Sequence, residues 1–115
     1  MITITTHVLD TARGRPAAGL AVTLSVRAGE RWTELGQAKT GADGRVANLV
    51  PAQAPAAPRG GAVYRLAFAV EEYFAAQGTA SFYPSVEVVF RSQEDTHHHV
   101  PLLVSPFGYT TYRGS

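Results

Sequence analysis

The chain has 115 residues, a formal net charge of +1, no Cys and 45% hydrophobic residues. That length suits a single domain spanning 1–115, able to bury roughly 65% of its unfolded surface without disulfide or metal staples. Its nine arginines and lone Lys39 are scattered, so it lacks the basic face of a nucleic-acid or anionic-membrane binder. The lack of Cys also removes thiol nucleophiles and Cys-based zinc sites.

No stretch approaches the roughly 18 apolar residues of a membrane-crossing helix. The opening Met1-Ile2-Thr3-Ile4-Thr5-Thr6 has neither a basic n-region nor a long apolar h-region. No signal peptide is therefore expected, and the expected location is the cytoplasm.

The dominant period is two, the period of a strand. Ile2, Ile4 and Val8 alternate with Thr3, Thr5 and His7, and Leu20, Val22, Leu24 and Val26 alternate with Ala21, Thr23 and Ser25. A third strand is predicted over residues 31–40. Asp43-Gly44 is a tight-turn signal, followed by a short strand over 45–49. Residues 51–61, rich in Pro, Ala and Gly, read as a surface loop, and 62–70 return to strand character. Residues 71–78, with an acidic first turn and a closing Gly78, form the one good helix candidate. A further strand is expected over 86–90. Glu94-Asp95 reads as a solvated turn. The chain closes with a hairpin of 97–104 and 109–113 about Ser105-Pro106-Phe107-Gly108, with Pro and Gly where a type I turn prefers them. About eight short strands and one helix indicate an all-β antiparallel sandwich.

Strand parity assigns faces. Ile2, Ile4 and Val8 point to the core, so Thr3, Thr5 and His7 point away. Val100, Leu102 and Val104 are likewise the apolar set, sending His97, His99, Pro101 and Leu103 to the other face. His7 and His99 therefore share the non-core side, and if their strands are neighbours the two imidazoles are close. Tyr112 joins them if Tyr109 packs inward.

Histidine suits acid–base work near neutral pH. The bland reading of His7 is a surface or structural role, and that of Arg45 a solvated charge at a strand start. The functional reading makes Arg45 a fixed cation for an anionic substrate or developing oxyanion. His7, His97 and His99 could offer three nitrogens to a catalytic zinc, but no HExxH or comparable spacing supports one, and no metal or cofactor is expected. No G-x-S-x-G elbow or phosphate-binding glycine loop is present. The closing Tyr112-Arg113-Gly114-Ser115 is odd, since chain ends usually fray and a sandwich does not need this tetrapeptide.

Two long stretches carry a resemblance. Residues 4–17, Ile-Thr-Thr-His-Val-Leu-Asp-Thr-Ala-Arg-Gly-Arg-Pro-Ala, resemble the opening signature of the transthyretin-related 5-hydroxyisourate hydrolases. Residues 99–115, from His99-Val100-Pro101-Leu102 to the terminal Tyr-Arg-Gly-Ser, resemble their closing one. Asp43-Gly44-Arg45, Phe82-Tyr83-Pro84 and Val86-Glu87-Val88 also fit the family, and only the 51–61 loop stands apart.

The resemblance implies a transthyretin-like β-sandwich of two four-stranded sheets with one short helix. It implies a homotetramer, a dimer of dimers with active sites in the channel between dimers. The activity implied is hydrolysis of 5-hydroxyisourate, a purine-derived product of urate oxidation, to 2-oxo-4-hydroxy-4-carboxy-5-ureidoimidazoline. The family's catalytic residues fall on His7, Arg45, His99 and Tyr112, with Ser115 nearby as a substrate contact beside His7, Arg45 and Tyr112. On this reading His7 and His99 activate a water, Arg45 steadies the oxyanion and Tyr112 closes the site. Two positions depart from the family pattern: His98 stands where an aromatic such as Tyr is expected, and Val46 where some relatives have Cys. The rival readings are a transthyretin-type carrier of a hydrophobic ligand and a zinc-dependent amidohydrolase using His7, His97 and His99. Carriers replace the active-site His and Arg and lack the terminal Tyr-Arg-Gly-Ser.

Overall fold

Strand β1 (Thr3–Asp10) alternates half-buried and buried residues along its whole length, as its period-two pattern predicts. In the computed structural model, which describes residues 2–54, 61–92 and 96–115, this strand is the spine of one of two sheets. Along one edge it pairs in parallel with β8 (His97–His99) and then β9 (Leu102–Ser105). Along the other it pairs antiparallel with β5 (Arg45–Val46) and β2 (Arg15–Pro16). Strand β10 (Gly108–Thr111) closes this sheet as a hairpin with β9. The second sheet is antiparallel, in the order β4 (Arg31–Lys39), β3 (Ala21–Ala28), β6 (Val63–Phe68), β7 (Val86–Arg91).

The two sheets enclose one core. Ile4, Val8, Leu102 and Val104 from the first sheet cluster with Val22, Leu24, Leu66, Phe68 and Val86 from the second. Burying each such side chain contributes about 1.5–3 kcal/mol. Helix α1 (Val70–Ala75) adds Val70 and Phe74, four residues apart on one face. Gly78, at φ 72°, ends it, and the N–H of Thr79 donates to the Phe74 carbonyl at 3.0 Å. Asp10 is fully buried yet satisfied: Oδ1 accepts from the N–H groups of Ala12 and Arg13, each at 3.0 Å, and Oδ2 from the Tyr73 hydroxyl at 2.9 Å. One carboxylate thus ties the helix to the turn after β1.

The expected two-sheet sandwich with a short helix is present, with several differences in detail. The pairing of β1 with β8 and β9 is parallel, so the sandwich is not purely antiparallel. About ninety residues separate these partners, and the hairpin constraint that forces antiparallel pairing does not reach that far. The predicted strand over 97–104 is broken into β8 and β9. Pro101 has no N–H for the ladder, and the carbonyls of Val100 and Pro101 accept instead from the hydroxyls of Thr6 (2.7 Å) and Thr111 (2.8 Å). Pro101 is consequently buried rather than turned outward with His99.

The strand predicted over 45–49 stops at Val46. Beyond it the Asn48 side chain replaces one ladder bond, its Oδ1 accepting from the N–H of Ile4 and of Val50, each at 3.1 Å, while the Leu49 N–H still donates to the Ile4 carbonyl at 2.9 Å. The helix starts and ends earlier than predicted, the last strand runs 108–111 rather than 109–113, and Tyr109 is exposed rather than inward. Of the predicted 51–61 loop, residues 55–60 lie outside the described residues, as does the Glu94-Asp95 turn.

Candidate active site

Because the core takes the even-numbered side chains of β1, Thr3, Thr5 and His7 emerge on its outer face. The ladder then decides their neighbours. Thr3 lies opposite His97, Thr5 opposite His99, and His7 opposite Arg45. Parity puts His7 and His99 on one face, and β1 gathers the set by pairing with β5 on one edge, which sets Arg45 beside His7, and with β8 on the other, which sets His99 beside Thr5.

Arg45 owes its place to the turn before it. Gly44 sits at φ 78°, and a Cβ there would fall 2.4 Å from the carbonyl oxygen of Val8, so only glycine lets the turn press against β1. Asp43 Oδ1 accepts the Arg45 N–H at 3.0 Å. The Arg45 side chain is exposed, and its guanidinium has no ion-pair or hydrogen-bond partner among the described residues.

The Asp43 carbonyl accepts a hydrogen bond from His7 Nε2 at 2.9 Å. A carbonyl only accepts, so His7 carries its proton on Nε2 and that nitrogen is not a free base. His99 is held differently. Its Nδ1 is 2.7 Å from the Thr5 hydroxyl, which leaves Nε2 as the ring nitrogen without a partner among the described residues. Burial lowers the His99 pKa below the ordinary imidazole range, and the positive charges of Arg45, His97 and His7 lower it further. A half-buried, neutral imidazole with an open nitrogen beside a fixed cation results.

These groups line an open groove of about 410 Å³, bounded by Thr5, Thr6, Asp43, Arg45, Val46, Ala47, His97, His99 and Ser115. That volume falls in the range of small-molecule sites. Ser115 arrives because the tail turns back along β8: the Gly114 N–H donates to the His99 carbonyl at 2.8 Å. Tyr112, more than half exposed, lies in a different groove of about 250 Å³ between β7 and the end of β10, which it shares with His98 and His99. Within one chain, then, Arg45, His99 and Ser115 are brought together, His7 borders them through Asp43, and Tyr112 stands on the other side of His99.

Sequence reasoning did not single out Thr5, Asp43 or Gly114. Thr5 was legible in principle, since it shares the parity of His7. Asp43 meets His7 through its backbone carbonyl, which residue type does not reveal, and the glycine at 114 gains its meaning only once the tail is seen against the His99 ring. His97, the third nitrogen of the zinc reading, stacks on His99 with ring centres 6.5 Å apart and planes 11° apart, its Nδ1 at 2.7 Å from the Thr3 hydroxyl. Among the described residues no three His, Cys, Asp or Glu side chains are gathered closely enough to hold a metal ion. His98 is buried against Phe90, and its Nδ1 donates to the Thr96 carbonyl at 3.1 Å.

A neutral base, an unpartnered cation and hydroxyls around one groove are suited to activating water against a polar carbonyl. A family model described as the HIUase/Transthyretin family matches residues 4–114. The chain is 48% identical over 115 residues to the 5-hydroxyisourate hydrolase of Mus musculus, covering 97% of this chain and 94% of that one. Among solved structures it is similar to Klebsiella pneumoniae 5-hydroxyisourate hydrolase, with a TM-score of 0.83, 39% identity and 100% of both chains covered. It is also similar to sea bream transthyretin in complex with thyroxine, with a TM-score of 0.86 and 33% identity over 97% of this chain and 94% of that one.

Proposed function

The chain belongs to the HIUase/Transthyretin family, and from that premise we propose that it is an enzyme hydrolysing 5-hydroxyisourate in urate degradation. The observation that carries the reading is one groove lined by both the unpaired Arg45 and His99, whose Nδ1 is taken by Thr5 and whose Nε2 is open. Backbone likeness does not separate the two branches of the family, because the hydrolase and the thyroxine complex score almost equally. The side chains do separate them. Two imidazoles, a guanidinium and hydroxyls suit a polar purine-derived ring better than a hydrophobic ligand.

In the proposed reaction His99 Nε2 takes a proton from a water, a contribution on the order of 10²–10⁴-fold. The water oxygen bonds to the ring carbonyl carbon, and Arg45 stabilises the resulting oxyanion; losing such a donor costs about 3–4 kcal/mol. The ring C–N bond breaks as the leaving nitrogen takes a proton back from His99. The new carboxylic acid ionises while the ureido nitrogen stays neutral, so one proton is released per turnover. His7, its Nε2 engaged by Asp43, positions the substrate edge next to Arg45. Ser115 is a substrate contact. The same role is proposed for Tyr112, reached across an interface.

That interface is proposed to be a homotetramer, a dimer of dimers. Strands β7 and β10 are each an edge of their sheet and border one groove, and Val89, Tyr109 and Tyr112 are exposed along or just beyond them. Unpaired adjacent edges with apolar side chains invite pairing with a second copy. The purified protein, added to urate and urate oxidase, is expected to speed loss of the 5-hydroxyisourate absorbance beyond its spontaneous decay. An unchanged decay rate would overturn the proposed activity. Light scattering during gel filtration checks the tetramer, and a monomer at assay concentration would overturn it.

A further inference from the structure

Two threonine–histidine pairs stand side by side on the outer face of β1 and β8, and they form a continuous chain. Thr3 Oγ1 is 2.7 Å from His97 Nδ1, His97 Nε2 is 3.5 Å from Thr5 Oγ1, and Thr5 Oγ1 is 2.7 Å from His99 Nδ1. His97 is exposed, outside the list of groups the proposed reaction uses, and stacked parallel to His99. We propose that Thr5 and His97 are positioning residues that hold His99 in the tautomer with hydrogen on Nδ1, so that Nε2 presents a lone pair to the groove. The inference rests on the proposed role of His99 as the base.

A hydroxyl both donates and accepts, so Thr5 alone would tolerate either tautomer of His99. The neighbours couple that choice to His97, so that hydrogen sits on both Nδ1 atoms or on both Nε2 atoms, and the charge of Arg45 then selects the direction. If His97 donates its Nδ1 hydrogen to Thr3, its Nε2 accepts the Thr5 hydrogen, and Thr5 Oγ1 then accepts from His99 Nδ1. The reverse arrangement would put an N–H on Nε2 of His99, a residue that lines the groove together with the Arg45 cation. A fixed positive charge favours a lone pair over an N–H directed toward it. Free neutral imidazole side chains prefer the opposite tautomer, with hydrogen on Nε2. A histidine that must act as a base through Nε2 therefore needs a partner at Nδ1, as in hydrolases whose carboxylate sets the tautomer. Here a hydroxyl backed by a second histidine takes that part.

The test reads the tautomer directly, by nitrogen NMR of protein labelled in its histidine rings, with the His99 signals assigned by their loss in His99→Gln. At a pH where His99 is neutral, wild-type Nε2 is expected in the unprotonated range and Nδ1 in the protonated range. Thr5→Val, nearly isosteric, is expected to move hydrogen onto Nε2 and to lower kcat by roughly 10- to 100-fold with little change in KM. Thr5→Ser restores both, and His97→Phe gives an intermediate spectrum. A protonated Nε2 in the wild type, or a His99 tautomer unchanged by Thr5→Val, would overturn the inference. The spectra are recorded without substrate, so they decide the tautomer whatever the urate oxidase assay returns.

Discussion

Gly114 lies against the ring of His99. Its N–H donates to the His99 carbonyl at 2.8 Å, and a Cβ at position 114 would stand 2.5 Å from His99 Cδ2. The tail therefore approaches the imidazole as closely as a residue without a side chain allows, and the ring sits between the Thr5 hydroxyl and this bare Cα. Gly114→Ala is expected to displace the His99 ring while leaving the core intact. A shift approaching 1 Å costs about 10²-fold in turnover. Steady-state kinetics alongside a thermal melt checks this, the expected result being lost activity at a nearly unchanged Tm.

Activity is expected to persist below the usual histidine range. Burial first, and then Arg45, His97 and His7, hold the His99 pKa down, so the base stays neutral as pH falls through about 6.5. Arg45→Gln removes one of these charges but not the burial. The variant should lose roughly 10²–10³-fold in kcat, and the acid limb of what remains should move upward toward the ordinary value. A limb at the same pH in wild type and variant would contradict this electrostatic account.

His98 gives the protein an acid-sensitive element apart from the groove. Burial is the main cause of its lowered pKa, aided by Arg113 and His97 and opposed by the bond to the Thr96 carbonyl. A group whose folded pKa is depressed contributes stability that is fully present above its unfolded pKa. That contribution is lost as pH falls toward the folded one. Urea denaturation is thus expected to show stability declining as pH drops below about 6.5. His98→Phe, packing beside Phe90, should flatten that decline.

Tyr73→Phe tests the tie between the helix and the turn after β1. It leaves Asp10 Oδ2 buried without the hydroxyl that it accepts from. The expected cost is about 1–3 kcal/mol in unfolding free energy, with kcat unchanged because neither residue borders the groove. Denaturant melts and the urate oxidase assay measure the two effects separately.

Much of the fold is legible from period and punctuation. The strict alternation in β1 and β3, the Asp43-Gly44 turn and the closing Gly78 each act locally, through side-chain direction or a backbone angle. The misread stretches are those where something distant intervened. Pro101 broke one strand and handed its carbonyl to Thr111, and Asn48 ended another by bonding to β1.

The same division runs through the site. The sequence by itself determined the outer face carrying His7 and His99, the cation at Arg45 and, through its two end motifs, the family. Those are properties of residue type and parity, which the chain carries before it folds. Only the tertiary structure decided which nitrogen of His7, His97 and His99 is occupied, that Thr5 rather than a carboxylate partners His99, and that the tail is pinned to β8 rather than frayed. Each of these depends on a contact between residues 36 or more positions apart, or on a backbone group with no chemical signature, except the tail, whose hold is a backbone bond to a residue 15 positions away. Register across β1 creates those contacts, and register is a property of the assembled sheet.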